Sequence, residues 1–415
     1  MADVLDEAEP YRAPGVCPAG DRSSDDFDIL DPDYLRNPYP TWDELRGTCP
    51  VAHSDRWGGS WLPTGFETVK EIARRPEDFS SRALEVTGPI PPVGKGLRVP
   101  PLSSDPPYHA AHRKLLMPLF TKSAVSSWET RIREIAVESL DRLDGRQEID
   151  AATEYAGHVP MQVTLEMLGV RADDASALET MVDQLLRSGP RDLEQRERAA
   201  RGLLDYFREV LSEPGCVEDR PDLLGHLLRL QAEDPSIDEE RMLGMCFLLL
   251  VAGIDTTWAA LSSSLLHLAS HPADREQLVD DPRLIPAAVE EFLRAFAPVS
   301  NARVTTREVN IGGQDLPANE RVILPLAAAN RDPEAFDDPD QIKLDREPNN
   351  HIAFGLGIHR CLGSHLARLE LRVALEEWLR RYPVFSLRAD VTIEYWGGQV
   401  RGPANVPIAI GEVRR

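Results

Sequence analysis

Residues 354–363 read Phe-Gly-Leu-Gly-Ile-His-Arg-Cys-Leu-Gly. The stretch holds glycines that let the backbone approach another group closely, and a cysteine, Cys361, with no second cysteine nearby. Apolar residues then recur at intervals of four, three and four from Leu362 to Val373, which predicts an amphipathic helix directly after the cysteine. A helix N-terminus favours a thiolate, so the pattern indicates one-point ligation of a large flat group. The alternative is a small buried cysteine ahead of an ordinary helix.

This stretch resembles the haem-ligand signature of the cytochrome P450 family, in which a Phe-Gly-x-Gly-x-His-x-Cys-x-Gly run supplies the axial thiolate. Every defining position matches, and further motifs extend the resemblance over residues 30 to 410. The resemblance implies that Cys361 ligates the iron of haem b (iron protoporphyrin IX). It also assigns cofactor binding to the signature residues Phe354, Gly355, His359, Cys361 and Gly363.

The composition limits the class of protein. The 415 residues are 42% hydrophobic and carry a net charge of −23. No change in composition divides the chain, so we expect a mobile acidic arm over residues 1–28 and a single domain over residues 29–415. The negative charge argues against nucleic acid or an anionic membrane surface as a partner.

Cysteine usage and hydropathy indicate the compartment. The five cysteines form no Cys-x-x-Cys pair and have no regular spacing, which favours a reducing cytoplasm over a disulfide framework. The N-terminus has no apolar signal core. The longest apolar run, Met242 to Ile254, has 13 residues, whereas a membrane span needs about 20. We therefore expect a cytoplasmic monomer with a buried helix at this run and no membrane partner.

The periodicity along the chain is mainly helical, with a strand-rich remainder. It predicts a mainly α fold with a small β-rich region, and the resemblance implies the cytochrome P450 fold. Residues 82–104 predict a long functional loop, which the resemblance implies covers the substrate. The other predicted features are helices near 41–46, 67–75, 223–230 and 238–270, a helix break at Ser188-Gly189-Pro190, a hairpin within 304–326 and strands within 382–412.

Residues 105–113 read Asp-Pro-Pro-Tyr-His-Ala-Ala-His-Arg. Proline begins a helix well, so His109 and Arg113, four residues apart, are expected to share one helix face. Taken alone, they could be a solvated surface pair. The resemblance implies that both hold the haem propionates together with Arg303. A planar guanidinium suits this role because it binds a carboxylate in bidentate fashion.

The long predicted helix contains Ala-Gly-Ile-Asp-Thr-Thr at residues 252–257. Glycine and hydroxyl residues weaken a helix locally, so we expect an interruption here. A buried Asp with a salt-bridge partner is the alternative to a functional role. The resemblance implies an oxygen-activating groove in which Asp255 and Thr256 form an acid–alcohol pair. It also implies that five apolar residues face the pocket: Leu248, Val251, Ala252, Val299 and Val400.

Glu291 and Arg294 lie three residues apart on another predicted helix, where they form a favourable pair. The resemblance implies that they are the family's structural Glu-x-x-Arg pair and that Arg346 is their third partner. We expect these residues to support the fold and to take no part in the chemistry.

The resemblance implies O₂-dependent monooxygenation. Because the pocket candidates are apolar, a small apolar or aromatic substrate is expected, modified by hydroxylation or O-dealkylation. No flavin or ferredoxin-like extension follows Arg415, so the expected electron source is a separate acidic ferredoxin with an NAD(P)H-dependent reductase. Two alternatives stay open, an H₂O₂-using haem-thiolate peroxygenase, which typically lacks the acid–alcohol pair, and a non-catalytic haem sensor.

Two segments, 105–122 and 357–381, carry more basic than acidic residues in this acidic chain. The resemblance implies that both lie on the face beside the thiolate, and Lys114 and Arg372 are the basic residues whose reversal would test docking there. We therefore expect this face to dock the ferredoxin through charge complementarity. Ordinary solvated helix faces are the alternative.

Overall fold

The computed structural model describes residues 27–88, 90, 98–185, 192–212 and 220–411. The predicted N-terminal arm, apart from residues 27 and 28, lies outside these ranges. So do the predicted break at residues 188–190 and part of the predicted loop at 82–104. Over the described residues the chain is mainly α-helical with small sheets, which confirms the predicted fold class.

Helices supply most of the described structure. Their bounds are α1 Pro32–Arg36, α2 Tyr39–Thr48, α3 Phe66–Ala73, α4 Tyr108–Leu116, α5 Lys122–Ser126, α6 Glu129–Asp141, α7 His158–Leu168, α8 Ala175–Asp183, α9 Leu193–Ser212, α10 Leu223–Glu233, α11 Glu239–Ser270, α12 Pro272–Asp280, α13 Ile285–Phe296, α14 Leu326–Ala329 and α15 Ser364–Arg381. The helices predicted near 41–46, 67–75, 223–230 and 238–270 correspond to α2, α3, α10 and α11.

Strands form small sheets beside the helices. They are β1 Val51–Ser54, β2 Ser60–Pro63, β3 Phe79–Ser80, β4 Glu148–Asp150, β5 Ser300–Thr305, β6 Val309–Ile311, β7 Gln314–Leu316, β8 Arg321–Pro325, β9 Phe385–Leu387, β10 Tyr395–Trp396, β11 Gly402–Pro403 and β12 Pro407–Ile410. The order β1-β2-β8-β5-β3 builds one sheet and β4-β12-β9 another, while β6–β7 and β10–β11 are antiparallel pairs. The predicted hairpin and the strand-rich tail are thereby confirmed.

Helix α11 runs through the centre of the fold. Asp238 caps it by accepting a hydrogen bond from the Arg241 N–H, and its 32 residues span about 48 Å at ~1.5 Å per residue. By length and composition it could cross a membrane, but 61% of its most apolar 18-residue window is buried inside the fold. A helix that is apolar nearly all round is expected in a protein core. The predicted buried helix is confirmed.

The interruption predicted within residues 252–257 is wrong, because α11 continues through them. Gly253 lies against α7, where an added Cβ would approach Thr164 Oγ1 to 2.6 Å. The Thr256 hydroxyl donates to the Ala252 carbonyl at 3.0 Å, a local bond that satisfies the hydroxyl within the helix. The glycine therefore serves close helix packing, and it does not end the helix.

Glu291 on α13 is fully buried and accepts charge-assisted hydrogen bonds from two arginines. Arg294 Nε and Nη2 donate to it at 2.8 Å each, and Arg346 Nε reaches both carboxylate oxygens at 3.0 and 3.1 Å. Leaving one member of such a buried group unpaired costs about 3–5 kcal/mol. The cluster ties α13 to the segment that leads into the Cys361 loop, which is the geometry that a structural role requires.

The described cysteines differ in their state. Cys246 and Cys361 are free, whereas Cys49 is disulfide-bonded. Cys49 therefore departs from the reduced state that the cysteine usage favours. Burial in α11 raises the pKa of Cys246 to about 12, so this thiol behaves as a small hydrophobic group.

Candidate functional site

A cavity of about 730 Å³ lies between α11, the start of α15 and the segment 82–88. Its walls are mostly apolar, which is typical of a site for a small organic molecule. It is lined by all the residues that the sequence analysis assigned to a substrate pocket, which are Leu248, Val251, Ala252, Val299 and Val400. The cavity also holds the Cys361 loop, so the two predicted parts of the site share one space.

The Cys361 loop is shaped by two glycines in the left-handed region, Gly355 at φ +66° and Gly357 at φ +68°. A Cβ on Gly357 would collide with the Ala73 carbonyl at the end of α3, so only glycine fits there. The Cys361 N–H donates to the Phe354 carbonyl at 2.8 Å and closes the loop. Phe354, Gly355, Cys361 and Gly363 all line the cavity.

Cys361 is exposed and lines the cavity. Helix α15 begins three residues later, at Ser364, so Cys361 precedes the helix and is not part of its first turn. Although Cys361 is accessible from the cavity, desolvation by the surrounding protein raises its pKa, and the Gly363 N–H and nearby arginines only partly offset this effect. This direction applies to the cysteine without a bound metal ion, so the preference for a thiolate stays a prediction. A coordinated metal ion deprotonates its thiol ligand, and these donors would then stabilise the charge.

Two histidines lie beside the thiol loop. The rings of His109 and His359 meet edge to face, with centroids 4.5 Å apart, and both residues line the cavity. Burial, together with the smaller effect of neighbouring cations, lowers the pKa of His359 to about 3. His359 Nε2 lies 3.0 Å from Ser81 Oγ, whereas His109 Nε2 is buried with no hydrogen-bond partner among the described residues.

Arg113 and Arg303 add positive charge to this corner. Arg113 lines the cavity and donates to the Arg360 carbonyl at 2.7 Å. Arg303 is buried, is not part of the lining and donates to the Ala302 carbonyl at 2.7 Å; burial lowers its pKa to about 10, and its charge acts on His359. Within the described part of the chain, neither guanidinium forms a salt bridge with a carboxylate.

This donor set fits a haem. Buried cations are normally paired with anions, and this corner has cations and an unbonded histidine nitrogen but no carboxylate paired with them. A group that carries its own carboxylates would complete it. The free thiol of Cys361 is a ligand suited to iron, and Gly363 leaves open space where a Cβ would stand. The residues that would meet the propionates are His109, Arg113, Arg303 and His359.

The predicted acid–alcohol pair is only partly brought to the cavity. Thr256 lines it, and its hydroxyl donates to the Ala252 carbonyl, so the hydroxyl oxygen stays available as a hydrogen-bond acceptor. Asp255 is 1% exposed and does not line the cavity. A proton from Asp255 would therefore reach the cavity through another group or a water molecule.

The sequence analysis missed several polar residues of the lining. The charged residues Glu85 and Arg196 approach to 4.0 Å between the 82–88 segment and α9. They are too far apart in the chain for any local pattern to pair them. Glu370 also lines the cavity. Its spacing of four residues from Leu366, on the buried stripe of α15, was a signal that could have revealed it.

Comparison with known proteins gives consistent matches. The family model described as cytochrome P450 matches residues 180–405. Vitamin D(3) 25-hydroxylase from Pseudonocardia autotrophica is 35% identical over 405 residues, which cover 94% of this chain and 97% of that protein. The cytochrome P450 monooxygenase PikC from Streptomyces venezuelae is 35% identical over 397 residues, 92% of this chain and 93% of its own.

Solved structures also resemble the fold. The crystal structure of CYP109E1 from Bacillus megaterium in complex with testosterone superimposes with a TM-score of 0.83 at 28% sequence identity. The match covers 92% of this chain and 99% of that one. Both the mainly helical architecture and the small sheets are therefore shared with a protein of known structure.

Proposed function

Because this chain belongs to the cytochrome P450 family, whose members bind haem and act as monooxygenases, we propose that it inserts one atom of O₂ into a largely apolar organic molecule bound beside Cys361. The observation that carries this proposal is the shared cavity. It contains the Cys361 thiol, a cationic corner without carboxylate partners, the Thr256 hydroxyl and an apolar wall.

Each part of the cavity has a separate task in this proposal. Bound haem supplies the iron at which dioxygen is activated, with a thiolate ligand that favours O–O cleavage. Cys361 would provide that ligand, and Arg113 and Arg303 would bind the haem propionates and so fix the orientation of the haem. Thr256 accepts a hydrogen bond from water in the groove, and buried Asp255 serves as the more distant proton source.

The lining supports a substrate class. The wall is apolar along α11, whereas Arg82, Glu85, Arg196 and Glu197 place charge at one part of the lining. An apolar body with one polar end would match both regions. The similar proteins named for vitamin D(3) and crystallised with testosterone favour a terpenoid or steroid. We propose hydroxylation of such a compound.

The test begins with binding. Terpenoids, steroids and aromatic ethers are titrated into the haem-loaded protein, and the shift of the Soret band reports binding. Compounds that bind are then incubated with NAD(P)H, a ferredoxin and its reductase, and the products are identified by mass spectrometry. We expect incorporation of one atom of ¹⁸O from ¹⁸O₂. Product formed only with H₂O₂ would favour the peroxygenase, and binding without any product would favour the sensor.

The ion pairs of the structure support a smaller docking surface for the electron donor than the two basic segments 105–122 and 357–381. All four arginines of α15 form ion pairs: Arg368 pairs with Glu290, Arg372 with Glu129 and Glu376, Arg380 with Glu377, and Arg381 with Asp141 and Asp144. Lys114 and Lys122 are exposed and form no salt bridge within the described residues. Tyr108 and Met117, 67% and 46% exposed, add apolar area near them. We propose that this smaller surface around α4 binds an acidic ferredoxin.

Charge reversal tests this surface. Lys114→Glu with Lys122→Glu is expected to slow electron transfer about 10-fold or more at low salt and to flatten its salt dependence, because steering by complementary charge is lost. Stopped-flow reduction of the haem at several salt concentrations measures both effects. Arg283→Glu, at an exposed arginine away from α4 whose side chain is 89% accessible, is the control for a charge reversal outside this surface. Equal rates in the lysine variant and the parent would exclude this docking surface.

A further inference from the structure

Glu370 on α15 has no role in the arrangement described so far. It lines the cavity, it is 1% exposed, and its Oε2 atom has no hydrogen-bond partner among the described residues. A buried ion without a partner costs several kcal/mol. A carboxyl group in this position therefore keeps its proton in preference to ionising.

Glu377, two turns further along the same helix, shows what an ionised carboxylate looks like here. It is almost as buried, at 4% exposure, but Arg133 Nη1 donates to it at 2.5 Å and Arg380 also bonds to it. Glu370 has no such cation. Where Glu377 meets arginines, Glu370 meets the cavity.

Burial is the cause that raises the pKa of Glu370 well above its usual range. Helix α15 packs against α5, α6, α7, α11, α12 and α13. The ionisable groups on these elements and on α15 itself include Lys122, Glu129, Arg133, Glu166, Asp255, His267, Arg275, Glu290, Glu291, Arg294, Arg368 and Arg372. The Glu290–Arg368 and Glu129–Arg372 pairs already neutralise the charges nearest to it along the helix.

We propose that Glu370 is a proton-binding site of the cofactor cavity, a neutral carboxylic acid that offers its O–H to an acceptor inside the cavity. An ordered water molecule suits this role, because it can accept the hydrogen bond of the Glu370 O–H and bond to other polar groups of the cavity. While Glu370 is neutral, α15 adds no negative charge to the cavity wall in addition to that of a Cys361 thiolate.

The proposal has a consequence for electron uptake. When Glu370 ionises, its O–H bond breaks, the proton passes through water to solvent, and a carboxylate remains in the wall. That charge disfavours the addition of an electron to the cavity's occupant. The reduction potential is therefore expected to be constant near neutral pH and to fall at alkaline pH, as Glu370 loses its proton. This consequence assumes a haem in the cavity.

Infrared spectroscopy of the haem-loaded protein tests the protonation state directly. At pH 7 the parent is expected to show the C=O stretch of a protonated carboxylic acid, shifted in D₂O and by ¹³C-glutamate labelling. Glu370→Gln is expected to lose this band, and Glu377→Gln is expected to retain it. If no protonated glutamate band is present in the labelled parent, the proposal is wrong, and this measurement does not depend on whether the variant folds.

Potentiometry gives the second readout. Near pH 7 the potentials of the parent and Glu370→Gln are expected to agree, because both side chains are neutral. At alkaline pH only the parent should fall. A higher potential of Glu370→Gln already at pH 7 would mean that Glu370 is ionised, which overturns the proposal. A missing thiolate signature in the carbon monoxide complex would instead refute the proposed function, so the two failures are distinguishable.

Discussion

Cys361→Ser is expected to abolish the thiolate-type absorption band of the reduced carbon monoxide complex, together with monooxygenase turnover. The serine side chain has almost the same size, but its hydroxyl is a far weaker acid than a thiol and cannot supply the same ligand charge. Cys361 is the only cysteine of the described residues that lines the cavity. The measurement is the difference spectrum of the dithionite-reduced protein with carbon monoxide.

Cys246→Ala is the matched control for this experiment. Cys246 is the other free thiol of the described residues, and it lies on α11 without lining the cavity. Its removal is expected to leave the band in place, although the lost sulfur reduces packing. A thiolate-type spectrum in Cys361→Ser would assign the iron to a different ligand and would contradict the proposed site.

The parts of this fold that could be predicted depend on local pattern. The N-terminus of α11 follows from Asp238 and the two acidic residues after it, which suit the positive end of a helix. The β6–β7 hairpin follows from the two glycines between alternating strands. Both features are decided within a few residues, so no knowledge of the tertiary structure was needed.

The parts that failed depend on what packs against each residue. Sequence spacing places Gly253 inside a helix, but only the approach of Thr164 explains why glycine is required. The charge of Arg372 and its local partner Glu376 are evident in the sequence, but its second partner, Glu129, lies on α6. Each outcome is set by long-range contacts, which periodicity does not encode.

The acid–alcohol pair could be predicted only in part from the sequence. The motif identifies Asp255 and Thr256, but adjacent residues on a helix point in directions about 100° apart. Thr256 faces the cavity and Asp255 is buried behind it. The two side chains are therefore expected to act at different points of one proton path, and their variants should have different phenotypes.

Thr256→Ala is expected to uncouple the reaction. The substitution removes the hydroxyl oxygen that accepts a hydrogen bond from water in the groove, and it leaves the apolar wall nearly unchanged. Substrate binding, read from the Soret shift, should change little. NAD(P)H should still be consumed, but a larger share of the electrons should appear as H₂O₂ and a smaller share as product. Thr256→Ser, which keeps the hydroxyl, should restore most of the coupling.

Asp255→Asn is expected to lower turnover as a whole, because it removes the acid that resupplies protons to the groove. General-acid contributions are typically about 10²–10⁴-fold in the affected step, an effect large enough to separate from partial misfolding. Ser264→Ala is the matched control for Thr256→Ala. Ser264 lies on the same helix and donates to the Ala260 carbonyl at 2.8 Å, as Thr256 does to Ala252, but it does not line the cavity. The assay measures NAD(P)H consumed, H₂O₂ released and product formed at saturating substrate. Full coupling in Thr256→Ala, with normal turnover in Asp255→Asn, would make the pair structural and would return the peroxygenase and sensor alternatives to consideration.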